Sequence, residues 1–192
     1  MPKARIAING FGRIGRAFFK AAFGRKSKPE LEFVAINDLG DPEQLAYLLK
    51  HDSVYGEWDK EVRADGGNLI VDGKEIKFIQ EKEPAKLPWH DLEIDIVLES
   101  TGVFEKFTEA KVHLDAGAKR AVISAPAKDE DNDWGKTVLP GVNNEDFAKC
   151  LVSSNGSCTT QSASPVMQIL QETVGVKKAF LVSSHGYTAT QN

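Results

Sequence analysis

Residues 5–15 read Arg5-Ile6-Ala7-Ile8-Asn9-Gly10-Phe11-Gly12-Arg13-Ile14-Gly15. The apolar run 5–9 reads as a strand. It leads directly into a G-x-G-x-x-G pattern that opens a helical stretch over about 13–23, closed by Gly24. Each glycine of such a strand–turn–helix unit has a physical task. Gly10 supplies the tight turn, Gly12 lets the main chain approach a pyrophosphate, and Gly15 lets helix and strand pack closely. The unpaired amides of the first helical turn then receive the phosphates. A second apolar run, 31–37, delivers Asn37 and Asp38 at its end, where a carboxylate can accept hydrogen bonds from ribose hydroxyls. The bland alternative is a glycine-rich turn followed by an ordinary strand-end Asp at a helix entry.

Working outward, residues 42–50 read as a helix with Asp41 at its N-cap. The turns Asp65-Gly66-Gly67 and Asp72-Gly73 flank an apolar run at 68–71, with 76–79 beyond, which predicts a small antiparallel excursion. A buried strand at 94–99, a helix at 108–116 closed by Gly117, and a strand at 121–124 follow. This alternation predicts an α/β fold, a doubly wound parallel sheet with helices on both faces. After Gly141 the pattern changes to a brief extended stretch at 151–154, a helix at 158–172 and a strand candidate at 178–184. No final helix or polar tail follows it, so the sequence is expected to stop in mid-structure.

The 24 Lys and Arg against 28 Asp and Glu leave a formal net charge of −4, which argues against nucleic acid or an anionic membrane surface as the main partner. With 41% hydrophobic and 27% charged residues, the chain is neither disordered nor fibrous. Cys150 and Cys158 fit no disulfide framework, zinc site or CxxC pair, so a reducing compartment is expected. Lys3, Arg5, Arg13 and Arg16 interrupt the N-terminal apolar run, so neither a signal peptide nor a membrane span is drawn there, and the expected location is cytoplasmic.

Cys158 sits in Ser153-Ser154-Asn155-Gly156-Ser157-Cys158-Thr159-Thr160, at the start of a helical pattern, where the helix dipole and free amides favour a thiolate. His185 closes the last strand candidate. A Cys and a His far apart in sequence can form a nucleophile and its base, although spacing alone does not establish contact. His51, His90 and His113 lack metal-ligand spacing and are assigned surface or capping roles, and no metal site is expected. Cys150 is assigned a structural role, and the acidic run at 128–133 a solvated loop.

INGFGRIGR, VAINDL, LLKHDSVYG, ESTGVF, HLDAGAKRAVISAP, SNGSCTT and HGYTATQ, in this order and spacing, resemble glyceraldehyde-3-phosphate dehydrogenase from the first strand to the last residue. The resemblance implies a Rossmann-type NAD-binding domain over 1–152, then the truncated start of an α+β catalytic domain over 153–192. It implies NAD as cofactor, glyceraldehyde 3-phosphate and inorganic phosphate as substrates, and a homotetramer at full length. Arg13 and Ile14, with the Gly10-Phe11-Gly12 turn and Gly15, would meet the pyrophosphate, and Asp38, beside Asn37, the adenosine ribose. Ser100, Thr101, Gly102 and Ser124 would line the path toward the nicotinamide. Cys158 matches the nucleophile, His185 its base, Ser157 and Thr159 the inorganic-phosphate site, and Thr188 a residue holding the substrate's own phosphate.

The chain departs from the family pattern after the nucleophile, where Gln161 and Ser162 replace the usual Asn and remove a second cysteine four residues on, and where Gly156 replaces the commoner Ala. It also ends before further phosphate-binding residues of the family, so little or no activity is expected of these 192 residues alone. Erythrose-4-phosphate dehydrogenase is the near rival, although HGYTATQ and the Asp of NDL favour the triose enzyme. A non-catalytic nucleotide-binding fragment and a Cys-His hydrolase are rivals of other classes, and the hydrolase leaves the glycine fingerprint unexplained. NAD reduction that depends on both aldehyde and phosphate separates the main reading from all three.

Overall fold

The computed structural model describes residues 3–25 and 30–186. In chain order the elements begin with β1 (Ala4–Asn9), α1 (Arg13–Ala22), β2 (Leu31–Asn37) and α2 (Pro42–Lys50). The short strands β3 (His51–Asp52) and β4 (Gly56–Glu57) form a separate two-stranded ribbon. Next come β5 (Val62–Asp65), β6 (Asn68–Val71), β7 (Lys74–Ile79) and β8 (Ile96–Glu99), then α3 (Phe107–Ala110), α4 (Val112–Asp115) and β9 (Arg120–Ile123). The series closes with β10 (Gly135–Thr137), β11 (Val152–Ser154) and α5 (Cys158–Thr173).

Nine strands make one sheet in the order β10-β11-β9-β8-β1-β2-β7-β6-β5. Every neighbouring pair from β10 to β7 is parallel, and β7-β6-β5 is antiparallel. The chain is therefore a Rossmann-type α/β domain, doubly wound about β1, which has β2 on one side and β8 on the other. The antiparallel stretch is larger than the sequence suggested. Val62–Asp65 is a strand of its own, and β7 pairs with β2 so that the hairpins extend the main sheet.

Alternation along β1 shows how both faces are filled. Ile6 and Ile8 pack with Phe11, Phe19, Phe33, Leu45 and Leu49 on the face that α1 and α2 cover. Ala7 faces the other way, onto Trp89, Val97 and Ala118, because successive strand residues point to opposite sides. Asp41 caps α2 by accepting the Gln44 N–H at 2.9 Å, a contact whose loss costs helices about 1 kcal/mol.

Two expectations are corrected. The helix expected over 108–116 is divided at Lys111 into α3 and α4, with bonds there tightened toward the i−3 type. The segment 178–184 forms no strand: Phe180, Leu181 and Val182 are 95, 67 and 93% exposed, and extended backbone holds as a strand only when its amides pair with a neighbour. The brief extended stretch expected at 151–154 is β11, which lies between β9 and β10.

Candidate functional site

The carboxyl ends of β2, β1, β8 and β9 emerge along one edge of the sheet, and two neighbouring cavities lie there. The larger, about 440 Å³, is bordered by Gly10, Gly12, Asn37, Asp38, Ser100 and Thr101. The smaller, about 240 Å³, shares Ser100 and Thr101 and adds Ile14, Gly102 and Ser124. Residues from four separate motifs are thus brought together at the switch point where open α/β sheets bind ligands.

The glycine turn is shaped by close approach. Gly10 has φ +92°, and a Cβ there would lie 2.6 Å from the Thr101 nitrogen. A Cβ on Gly15 would lie 2.3 Å from the Gly10 carbonyl oxygen, so helix and turn meet with no room for a methyl group. A Cβ on Gly12 would meet nothing within 4 Å. That open face is where a bound group can reach the main chain.

The first intrahelical bond of α1 is from the Arg16 N–H to the Gly12 carbonyl at 3.0 Å, leaving the amides of Arg13, Ile14 and Gly15 ahead of it without helical acceptors. No acidic side chain stands in that turn to compete for them. Positive helix end, free amides and an uncrowded glycine fit a pyrophosphate. Arg13 and Ile14 are exposed beside it, whereas the Phe11 side chain is fully buried, edge-on to Phe19, so any contact from Phe11 would be through its main chain. Asp38 accepts the Phe11 N–H at 2.6 Å on Oδ2 and the Gly40 N–H at 2.8 Å on Oδ1, with lone pairs left for ribose hydroxyls.

On the same edge, β11 ends at Ser154, and the turn Asn155-Gly156 leads to α5. Ser157 caps α5, its Oγ accepting the Thr160 N–H at 3.0 Å, which places Cys158 at the first helical position. Cys158 Sγ lies 3.2 Å from Nε2 of His185, while His185 Nδ1 lies 2.6 Å from the Gly186 carbonyl oxygen. A carbonyl only accepts, so Nδ1 carries a proton and Nε2 is the atom free to take one from the thiol. The hydrogen bond with His185 pulls the Cys158 thiol below its ordinary value, and donation from Thr159 main chain and hydroxyl adds to this. The Gly186 carbonyl, followed by Cys158, raises His185.

Burial instead pushes the Cys150 thiol up, in keeping with a structural role. Gln161, in place of the family's Asn, donates from Nε2 to the Asn155 carbonyl at 2.5 Å, bracing the turn before the nucleophile. Ser162 bonds back to the Thr159 carbonyl at 3.0 Å. Thr188 lies outside the described residues.

His113 corrects the sequence reading: it is not at the surface but fully buried, between Trp89 and Glu99. Glu99, at 2% exposure, was not singled out either. The available signal was a polar residue ending each of three apolar runs, at Asn9, Asn37 and Glu99.

Residues 4–107 match the family described as "Glyceraldehyde 3-phosphate dehydrogenase, NAD binding domain". The chain belongs to the glyceraldehyde-3-phosphate dehydrogenase family. It is 48% identical over 189 residues to a protein named glyceraldehyde-3-phosphate dehydrogenase from Thermotoga maritima, covering 98% of this chain and 55% of that protein. It is 47% identical over 189 residues to glyceraldehyde-3-phosphate dehydrogenase 1 of Bacillus subtilis, covering 97% and 54%. The Borreliella burgdorferi relative of the same name is 47% identical over 193 residues, covering 97% and 55%. The chain thus spans about half the length of the curated relatives it matches. The family's matched domain is the NAD-binding one, so NAD is the cofactor of this domain. Among the described residues no helix is long and apolar enough to cross a membrane.

Proposed function

We propose that this chain supplies the dinucleotide site and the catalytic pair of an NAD-dependent, phosphorylating glyceraldehyde-3-phosphate dehydrogenase. Residues 1–152 are its NAD-binding domain on this reading, and 153–192 open its catalytic domain. The observation that carries the reading is the Cys158–His185 contact of 3.2 Å, on the sheet edge that also holds the dinucleotide cavity.

The chemistry follows from these groups. His185 Nε2 takes the thiol proton, and Cys158 Sγ adds to the aldehyde carbon to give a thiohemiacetal. Amides at the start of α5, beside the sulfur, face the oxygen on which charge develops. NAD, when bound, supplies the hydride acceptor, with Gly10, Gly12, Arg13, Ile14, Gly15, Asn37 and Asp38 holding its adenosine and pyrophosphate side, and Ser100, Thr101, Gly102 and Ser124 the other. The substrate carbon stays bonded to Sγ from the thiohemiacetal to the thioester. Inorganic phosphate then attacks the thioester carbon, displacing the thiolate and releasing the acyl phosphate. Ser157 and Thr159, which flank Cys158, are proposed to receive that phosphate, and Thr188 the substrate's own. The full-length assembly is proposed to be a cytoplasmic homotetramer.

The test is NAD reduction with glyceraldehyde 3-phosphate, with and without inorganic phosphate, by the 192-residue chain and by a version extended to its relatives' length. The extended protein is expected to be active only with both substrates, and the short chain to show little or no turnover. Faster turnover on erythrose 4-phosphate would transfer the assignment to that substrate. Aldehyde-independent hydrolysis of esters by Cys158 would overturn it.

A further inference from the structure

Three parallel strands end side by side on a polar residue: Asn9 is paired in register with Asn37 of β2 and with Glu99 of β8. All three are buried, at 2, 5 and 2% exposure, and they border the site: Asn9 and Asn37 line the larger cavity and Glu99 the smaller.

The side-chain bonds among them run in one direction, while Asn37 Nδ2 also donates back to the Glu81 carbonyl at 2.9 Å and so fixes the orientation of its amide. The Glu81 N–H donates to Asn37 Oδ1 at 2.9 Å, Asn37 Nδ2 to Asn9 Oδ1 at 2.7 Å, and Asn9 Nδ2 to Glu99 Oε2 at 2.6 Å. From the far side, the Trp89 indole N–H points to His113 Nδ1 at 3.1 Å. Indole is a donor only, so Nδ1 holds the lone pair and Nε2 the proton, and His113 Nε2 donates to Glu99 Oε2 at 2.9 Å. Oε1 accepts the Thr101 N–H at 2.8 Å and the Thr101 hydroxyl at 2.5 Å. The chain starts from a main-chain N–H at one end and an indole N–H at the other, so its polarity cannot reverse. The series converges on Glu99, whose two oxygens face four donor groups, an arrangement that an ionised carboxylate accepts in full.

The output is the loop at 100–103. With its proton committed to Glu99, Thr101 Oγ1 accepts the Val103 N–H at 3.1 Å, while Ser100 Oγ donates to the Gly10 carbonyl at 2.7 Å. This loop borders both cavities and presses against the glycine turn. We propose that Glu99 is a positioning residue for NAD: its ionised carboxylate, the sink of a polarised chain from Glu81 to Trp89, holds residues 100–103 against the glycine turn in the binding arrangement. The inference deepens the proposed function and rests on its NAD site.

Glu99→Gln is the test, since it replaces one acceptor by a donor at unchanged size. Either Thr101 or the Asn9–His113 side must then face a second donor, and neither end of the chain can flip to relieve it. Calorimetry on the folded variant is expected to show NAD binding weakened roughly tenfold or more, the scale of one lost charged hydrogen bond. Amide exchange at Thr101 should quicken in step. Ile76→Val, a buried core change on β7 outside this hydrogen-bonded chain and away from both cavities, should bind NAD within about twofold of the parent. Equal losses in the two variants, or none in Glu99→Gln, would overturn the proposal. Should Glu99→Gln fail to fold, NMR of the parent protein decides: a protonated Glu99 carboxyl or an Nδ1–H tautomer of His113 overturns it, and a carboxylate with an Nε2–H tautomer supports it. A parent protein that binds no NAD would refute the cofactor reading, whereas Thr101 exchange in Glu99→Gln would still show whether the carboxylate orders the loop.

Discussion

Phe11 donates its main-chain N–H to Oδ2 of Asp38 at 2.6 Å, so the residue proposed to read the ribose is also the residue that holds the glycine turn in place. Asp38 is therefore expected to act on both cofactor affinity and cofactor choice. A 2′-phosphate carries about −1.5 to −2 charge at neutral pH. At about 4 Å and an effective dielectric near 20, each unit pair repels by about 4 kcal/mol before solvent and salt reduce it. Even a quarter of that, about 1 kcal/mol, is about fivefold in affinity. Titration should show clear preference for NAD over NADP. Asp38→Asn should narrow the gap and also weaken NAD itself, because one of the Phe11 and Gly40 amides loses its acceptor. Equal affinity of the parent protein for the two dinucleotides would refute this.

The Cys158–His185 contact sets a pH dependence. Hydrogen bonding lowers the thiol, so the reactive thiolate is present above a pKa that lies below the ordinary cysteine value, and is lost as pH falls through it. With limiting iodoacetamide at neutral pH, peptide mapping should find the label on Cys158. The rate profile of His185→Ala should move to higher pH, toward an ordinary thiol. Cys150, buried and shifted the other way, should react only on unfolding. Prior labelling of Cys150 in the folded protein would count against the catalytic assignment.

The sequence made the first half of the fold readable because local signals and tertiary structure agree there. Residues 31–37 and 42–50 form the expected strand and helix, and the Asp41 cap is in place. Local reading failed where the outcome depends on distant partners. The apolar run at 178–184 has strand composition but no neighbour to pair with among the described residues. His113 is polar and lies in a short helix, so nothing local distinguishes an exposed imidazole from one sealed between Trp89 and Glu99. The candidate site was legible as separate motifs; bringing Asp38 to Phe11, or His185 to Cys158, required the fold.

The three fingerprint glycines should separate stability from binding. Gly12→Ala adds a methyl group into open space at an ordinary backbone conformation, so unfolding by urea should change by no more than about 0.5 kcal/mol. Yet the methyl group would stand where the pyrophosphate must approach, and NAD binding should fall sharply. Gly15→Ala drives a methyl group to 2.3 Å from the Gly10 carbonyl oxygen and should destabilise the domain by about 1–3 kcal/mol. A Gly12→Ala protein that binds NAD as the parent does would remove the phosphate role from this turn.

The apolar side chains after β11 should behave oppositely in two contexts. No residue of α5 is buried, and Val166 and Ile169 are 54 and 60% exposed, with Phe180 and Val182 at 95 and 93%. Large apolar groups exposed in this number favour association. In the 192-residue chain, replacing Phe180 and Val182 together by Ser removes no packing, so stability should hold to within about 0.5 kcal/mol per site while self-association in sedimentation velocity falls. In a chain extended to the length of its relatives, these side chains are expected to lie in the catalytic domain's core. There each loses burial worth about 1.5–3 kcal/mol, and the same double variant should unfold at lower denaturant. Neutrality in both chains would show that the segment remains at the surface, and the proposed catalytic domain would then need a different packing from the one expected here.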